Sequence, residues 1–408
     1  MLRFALKNMV IKKVQTILIV LSIVISAGIA VLAYNVANQV SDGITKGASY
    51  YSVIIGPSGS QTQLAMNTMY FTDEPLGTIP YSVATDLMMD GTRVRSVVPF
   101  AMADNYNGSK VVGTTSEFLS GKELKEGTMY ENNATLQAVV GYRVAKNNGL
   151  KVGDVIHTGH SVNSQELHGE GITVVGILKE THSAYDNVVF TQLQTLWKMH
   201  EHGEEEGEHG AGEQDHEEEH EDTSGTVCAI LVKTKNTAYA MQLVNEYNGK
   251  MITAEDGDAF TLQAIEPMAV VRDVLNEADD TQYIVFVLCG VILLMNIMII
   301  SIITLLNMYH SAKEISLMRL IGISMQKINL LYLIQNGIIG LVSTGLAFGL
   351  SKLCLLGMNN YVSSMGVVLN MSKIYPMEIV ILLAVFLISV IPTAIWTFCM
   401  SKKDGLGD

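Results

Sequence analysis

Four stretches of this chain carry no Asp, Glu, Lys, Arg or His, and each is long enough to cross the hydrocarbon core of a bilayer, which takes about 20 helical residues. They cover residues 14–41, 281–309, 328–351 and 379–400. Backbone in hydrocarbon must satisfy its own hydrogen bonds, so such runs have to be helices. Their arrangement is one plus three, because residues 42–280, of ordinary globular composition, separate the first from the rest. Only 16% of the 408 residues are charged, against roughly 25% in soluble domains. The expected fold is therefore a membrane protein with four transmembrane α-helices and a large extracytoplasmic domain.

Orientation follows from the Lys and Arg near the span ends. Arg3, Lys7, Lys12 and Lys13 precede the first span, His310, Lys313, Arg319 and Lys327 lie between the second and third, and Lys402 and Lys403 follow the fourth. The other side has Lys352 and Lys373 in the loop 352–378, and residues 42–280 hold 15 Lys and Arg against 36 Asp and Glu. Both termini and the loop 310–327 are expected in the cytoplasm, including the tail 401–408. The large domain is expected outside the cytoplasmic (inner) membrane. The first span reads as a retained anchor, since its apolar run exceeds the 7–15 residues of a signal peptide and ends at no clear A-x-A site. Residues 1–13 put Leu2, Leu6, Met9 and Val10 on one face, which reads as an interfacial helix or as a plain positive flank.

Carriers and channels use ionisable groups or broken helices at the membrane midplane, and these spans contain no ionisable group, so no conduit is expected. Gly345 and Gly349 in the third span allow close approach of another helix. A net charge of −14 leaves no basic surface for nucleic acid. Four cysteines are too few for a disulfide scaffold in a chain this long.

Residues 42–280 mix the two periodicities. Strands are expected at 51–55, 94–100, 138–141, 155–158, 172–178, 188–190 and 227–232, and helices at 142–148, 192–199, 237–247 and 269–280. Helices and strands alternate irregularly, which defines an α+β domain. Residues 200–222 stand apart, with 12 of the 40 acidic residues and five of the ten histidines. Such a segment cannot bury enough apolar surface to order itself, so a disordered His/Glu-rich insertion is expected. His200, His202, His209, His216 and His220 are candidate ligands for zinc or another transition metal, since imidazole suits these ions and carboxylates can complete the shell. His157 and His160 read as surface residues. The bland alternative for the whole stretch is a solvated acidic loop.

No catalytic pattern is present. The chain has no G-x-x-x-x-G-K-[ST] loop, so it holds no ATP by that means and is not expected to be an enzyme. There is no H-E-x-x-H and no G-x-S-x-G. Cys228 sits in a strand-like run and reads as a small buried apolar group.

Two motifs carry a family resemblance. Residues 310–324, His-Ser-Ala-Lys-Glu-Ile-Ser-Leu-Met-Arg-Leu-Ile-Gly-Ile-Ser, resemble a cytoplasmic motif of the form R-x-E-I-x-x-L-R-x-x-G-A-S, with Lys313, Glu314, Ile315, Met318, Arg319, Gly322 and Ser324 in the matching places. Residues 139–145, 149–154 and 174–178 are similar to a periplasmic core domain. Both belong to the MacB/FtsX-like (type VII) ABC transporter permeases. The resemblance covers nearly the whole chain outside 200–222, whereas the C-terminal tail departs from the family, which often ends in a basic helix.

The resemblance implies a homodimer or pseudo-dimer of permeases, a separate cytoplasmic ATPase and a short coupling helix at 311–321, apolar at Ile315, Leu317, Met318 and Ile321 and ended by Gly322. It implies transmission of ATPase-driven motion to an outer domain that acts on an envelope substrate such as a lipoprotein, lipid or peptide, with metal as a modulator. The alternatives are a non-transporting device that activates an envelope partner such as a cell-wall hydrolase or senses metal, and a membrane-anchored metal-binding protein without ATPase coupling.

Overall fold

The central strands of the larger unit are apolar on both faces, the pattern of a sheet covered on both sides. Ala229, Ile230, Leu231 and Val232 are fully buried in one strand, and Val97, Val98, Phe100, Ala101 and Met102 are buried in the next. A computed structural model describes every residue except 1, 132–133, 160–167, 202–224, 254–256, 258, 311, 364–366 and 405–408. Two units result. The helical unit comprises Met1–Gln39, Glu277–Asn360 and Leu369–Asp408, and the sheet unit comprises Val40–Asn276 with Tyr361–Val368.

The chain opens with α1 (Leu2–Ile11) and α2 (Lys13–Ala48). It continues through β1 (Val53–Pro57), α3 (Gln61–Tyr70), β2 (Ile79–Pro80), α4 (Ser82–Met89), β3 (Val94–Tyr106), β4 (Ser109–Thr114), β5 (Leu124–Gly127), β6 (Gln137–Val140) and α5 (Tyr142–Asn148). Then come β7 (Val155–Ile156), β8 (Ile172–Leu178), β9 (Val189–Thr191), α6 (Leu193–Glu201), β10 (Thr226–Val227), β11 (Ala229–Thr234), α7 (Thr237–Tyr247), β12 (Met251–Thr253) and β13 (Ala259–Ile265). It ends in α8 (Pro267–His310), α9 (Ala312–Leu320), α10 (Met325–Ser363) and α11 (Pro376–Asp404).

The sheet runs β12-β13-β1-β11-β3-β4-β9-β6-β8-β5, with β7 on β8. Only β4–β9 and β6–β8 pair in parallel. Helices α3, α4, α5, α6 and α7 pack on it, so the architecture is α+β as expected. Two attachments fix where the long helices join the sheet. β1 begins a few residues after α2 ends, and β13 ends just before α8 starts. These strands are antiparallel neighbours, with Ile54 opposite Ile265. The sheet unit thus receives both long helices at one end of one strand pair.

Five aromatic rings fill the centre of this unit. Phe118 has ring centroids at 5.4 Å from Tyr185, 5.9 Å from Phe190, 6.1 Å from Phe71 and 6.2 Å from Phe100. Burial pushes the Tyr185 hydroxyl well above its ordinary value. Nearby, the turn into α5 needs Gly141, because a Cβ there would lie 2.4 Å from the carbonyl oxygen of Tyr185.

The helical unit packs Ile19, Ile23 and Ala27 of α2 against Ile339 and Ala347 of α10 and Val385 of α11. Helices α10 and α11 approach closely at Gly340, where a Cβ would meet Ser389 Oγ at 2.2 Å. The glycines singled out from the sequence behave differently: a Cβ at Gly345 or Gly349 meets nothing within 4 Å. Both α2 and α10 are long and apolar enough to cross a membrane, and shorter apolar helices cover Val287–Ile299 and Pro376–Ile391. The loop expected over 352–378 is shorter than that, since α10 continues to Ser363 and α11 starts at Pro376. Lys352 and Glu378 consequently sit on helices, where they are buried.

These two form an ion pair, Lys352 Nζ to Glu378 Oε2 at 3.0 Å. Asn35 Nδ2 donates to Glu378 Oε1 at 2.5 Å, and the Tyr375 N–H donates to the same oxygen at 3.0 Å. Lys352 also donates to the Lys373 carbonyl at 2.8 Å. Gln39 donates to Asn35 and to the Asn370 carbonyl and accepts from the Asn370 N–H. Helices α2, α10 and α11 are thereby joined through one connected polar network.

Candidate functional site

Two places concentrate chemistry. The first is α9, which covers the expected coupling segment. Its last turn closes as the sequence anticipates: Gly322 has φ +88°, its N–H donates to the Arg319 carbonyl at 2.9 Å, and the Ile323 N–H donates to the Met318 carbonyl at 3.0 Å. This is the paired 5→2 and 6→1 bonding of a Schellman end. Met318 packs on Ile328 and Tyr332, while Leu317, Leu320 and Ile321 are 60%, 84% and 74% exposed. Gly322→Ala should destabilise this helix end by about 1–2 kcal/mol, the cost of a Cβ in the left-handed region. Amide hydrogen exchange at residues 321–323 measures it, and unchanged protection would contradict it.

The second place is a cluster of Asp104, His168 and His200 in the sheet unit. Strand β3 carries a bulge between Met102 and Asp104, and a bulge re-aims the side chains that follow it. Asp104 is 2% exposed. His168 is held beside it by the backbone, since its N–H donates to the Thr158 carbonyl at 2.8 Å, and Asn105 and Gly159 exchange N–H···O bonds of 2.8 and 3.1 Å. His200 lies in the last turn of α6. That helix is seated by buried Leu193, Leu196 and Met199 and by Trp197 Nε1, which donates to the Thr226 carbonyl at 2.8 Å.

Both imidazole Nε2 atoms face one carboxylate oxygen. They lie 3.2 Å (His168) and 3.3 Å (His200) from Asp104 Oδ1, while Thr158 Oγ1 donates to Oδ2 at 2.9 Å. Burial pushes the Asp104 carboxyl up, but hydrogen bonds and charge from the two histidines outweigh it and hold the group well below the usual carboxylate range. The hydrogen bond to Asp104 raises His168, with burial opposing and the Asp104 charge adding to the rise. A cavity of about 340 Å³ is lined by His200, Met102, Leu196, Trp197 and Cys228. Burial drives the Cys228 thiol up to about 11, so it is a protonated apolar group here, as its sequence context suggests.

Of the histidines expected to form a metal site, His200 alone is described, and it meets Asp104 and His168 from other parts of the chain. His202, His209, His216 and His220 lie outside the described residues, as does His160. His157 stands apart from the cluster, with Nδ1 at 3.2 Å from the His168 carbonyl. Neither Asp104 nor His168 was legible as a ligand, because the three residues come from distant segments with no short spacing between them.

Comparison with known proteins places this chain in a family. The family model of the MacB-like periplasmic core domain matches residues 16–248, more than half of the chain. No curated protein matches it. Among solved structures, the periplasmic region of MacB from Actinobacillus actinomycetemcomitans is similar at 11% identity and a TM-score of 0.35, over 57% of this chain and 95% of that one. The chain belongs to the family of proteins with a MacB-like periplasmic core domain, the MacB/FtsX-like class that its sequence motifs resemble.

Proposed function

We propose that this chain is the permease subunit of an ABC transporter, carrying motion from a cytoplasmic ATPase to a domain outside the cytoplasmic membrane. The observation that carries the reading is the MacB-like periplasmic core domain over residues 16–248. In this reading the spans are 14–41, 281–309, 328–351 and 379–400, both termini are cytoplasmic, the domain 42–280 faces outward, and two permeases pair. Helix α9 supports it, because three apolar side chains exposed at its C-terminal end favour a groove on a partner. Nucleotide-driven closure of two ATPases would displace α9, and the long helices α2 and α8 would pass the displacement to β1 and β13. The substrate class is an envelope lipoprotein, lipid or peptide. The Asp104–His168–His200 cluster favours a second reading, in which the outer domain responds to metal and switches an envelope partner without transport.

The test is Leu317→Glu combined with Arg319→Glu in a tagged full-length chain. Its co-purification with a phosphate-loop ATPase should fall at least tenfold, and the ATP hydrolysis it stimulates should fall with it. Leu317 is 60% exposed, so the melting temperature should not move. Undiminished co-purification and hydrolysis would remove the docking role of α9.

A further inference from the structure

We propose that Asp104, His168 and His200 form an exchangeable binding site for a tetrahedral transition-metal cation, with Zn²⁺ as the best fit. The chemistry is that of the donor set: two imidazoles and one carboxylate are ligands of zinc, whose three-protein-ligand sites leave the fourth position to water or a solute. The distances are more telling still. In a tetrahedron the ligand–ligand edge is about 1.63 times the metal–ligand bond, so bonds of roughly 2.0–2.1 Å put neighbouring ligand atoms about 3.3–3.4 Å apart. Asp104 Oδ1 lies 3.2 Å from His168 Nε2 and 3.3 Å from His200 Nε2. Two edges of the ligand triangle therefore already have the length that zinc imposes. The three ligand atoms all lie within 4.8 Å of one another.

The surroundings fit a prepared site. The rings of His168 and His200 stand 5.3 Å apart at 70°; they do not stack, so each can aim its Nε2 at a shared point. Thr158 holds the second carboxylate oxygen, the kind of outer contact that orients a metal-binding carboxylate. Each ligand is anchored by a different device: a strand bulge, a backbone hydrogen bond and a packed helix. The Asp104 side chain is wholly buried, and the two histidines are each 14% exposed. His200 also borders the cavity beside Met102 and Trp197, which gives the cluster an approach for an ion and for a fourth ligand. One carboxylate and two neutral imidazoles leave an occupied Zn²⁺ site with a single net positive charge, suited to reversible loading. An occupied site would tie the segment before β8 and the end of α6 to β3.

The experiment uses the full-length chain, stripped with chelator, together with a shortened chain that lacks residues 202–222 but keeps His200. The probe is Zn²⁺ alone, titrated by calorimetry and by competition with a chelating dye. The shortened chain should bind one equivalent. His168→Ala and Asp104→Asn, each in that background, should weaken binding at least 100-fold. Co²⁺ should give the intense visible absorption of a tetrahedral site, absent from both variants. Circular dichroism in the absence of metal separates loss of ligands from loss of fold, and His200→Gln serves where another variant fails to fold. The inference is overturned if the shortened chain binds no Zn²⁺, or if binding survives His168→Ala and Asp104→Asn together. Neither result depends on whether α9 docks an ATPase.

Discussion

Glu378→Ala is expected to destabilise the full-length protein by about 3–5 kcal/mol, the cost of removing one partner from a buried ion pair. Lys352, 7% exposed, would keep its bond to the Lys373 carbonyl and its place over the Phe348 ring but no counter-charge from Glu378, and the Asn35 amide and the Tyr375 N–H would lose their acceptor. Lys352→Met should cost a similar amount, because it strands the carboxylate. Replacing both by Met should recover most of the loss, since a buried pair contributes little net stability over well-packed apolar groups. Unfolding of the purified protein in detergent measures all three. Single variants within about 1 kcal/mol of the parent would mean that water reaches the pair.

Phe118→Ala should cost a comparable amount, about 3–5 kcal/mol, the range for removing a buried aromatic ring. Phe118 is 4% exposed and touches five other rings, those of Tyr51, Phe71, Phe100, Tyr185 and Phe190, and flat rings close a hole poorly. Phe118→Leu should recover about half. An alanine variant that melts with the parent would mean that the rings repack, which the fixed backbone around Gly141 and Tyr185 opposes.

What could be seen in the sequence was whatever is local. Helix α7 begins at an Asn236 cap that accepts from the Tyr239 N–H, and α5 ends at Gly149 with φ +67°; both helices have the expected limits, residues 237–247 and 142–148. Helix α9 has a glycine stop at Gly322. Strand β3 was harder: its expected end was residue 100, where β-branched and aromatic residues give way to Ala101, Met102 and Ala103, yet it continues through a bulge to Tyr106. That same continuation sets Asp104 beside the histidines, so a strand boundary and a site were missed for one reason. Helix α3 was missed because it holds only scattered apolar residues; Ser60 caps it, but a lone serine is a weak start signal. The burial of Lys352 and Glu378 was hidden for another reason. One partner, Asn35, comes from the other end of the chain, and flanking charge normally reads as solvated.

The joining of α2 and α8 to neighbouring strands has a mechanical consequence. Because Val53 and Ile265 sit at the same end of the β1–β13 ladder, a load applied along both strands in step leaves the register of the ladder unstressed. A load that spreads the two strands apart would instead open the ladder like a zipper, one rung at a time from Ile54. The ladder tolerates stroke and yields to splay, so an axial load is the one it can bear.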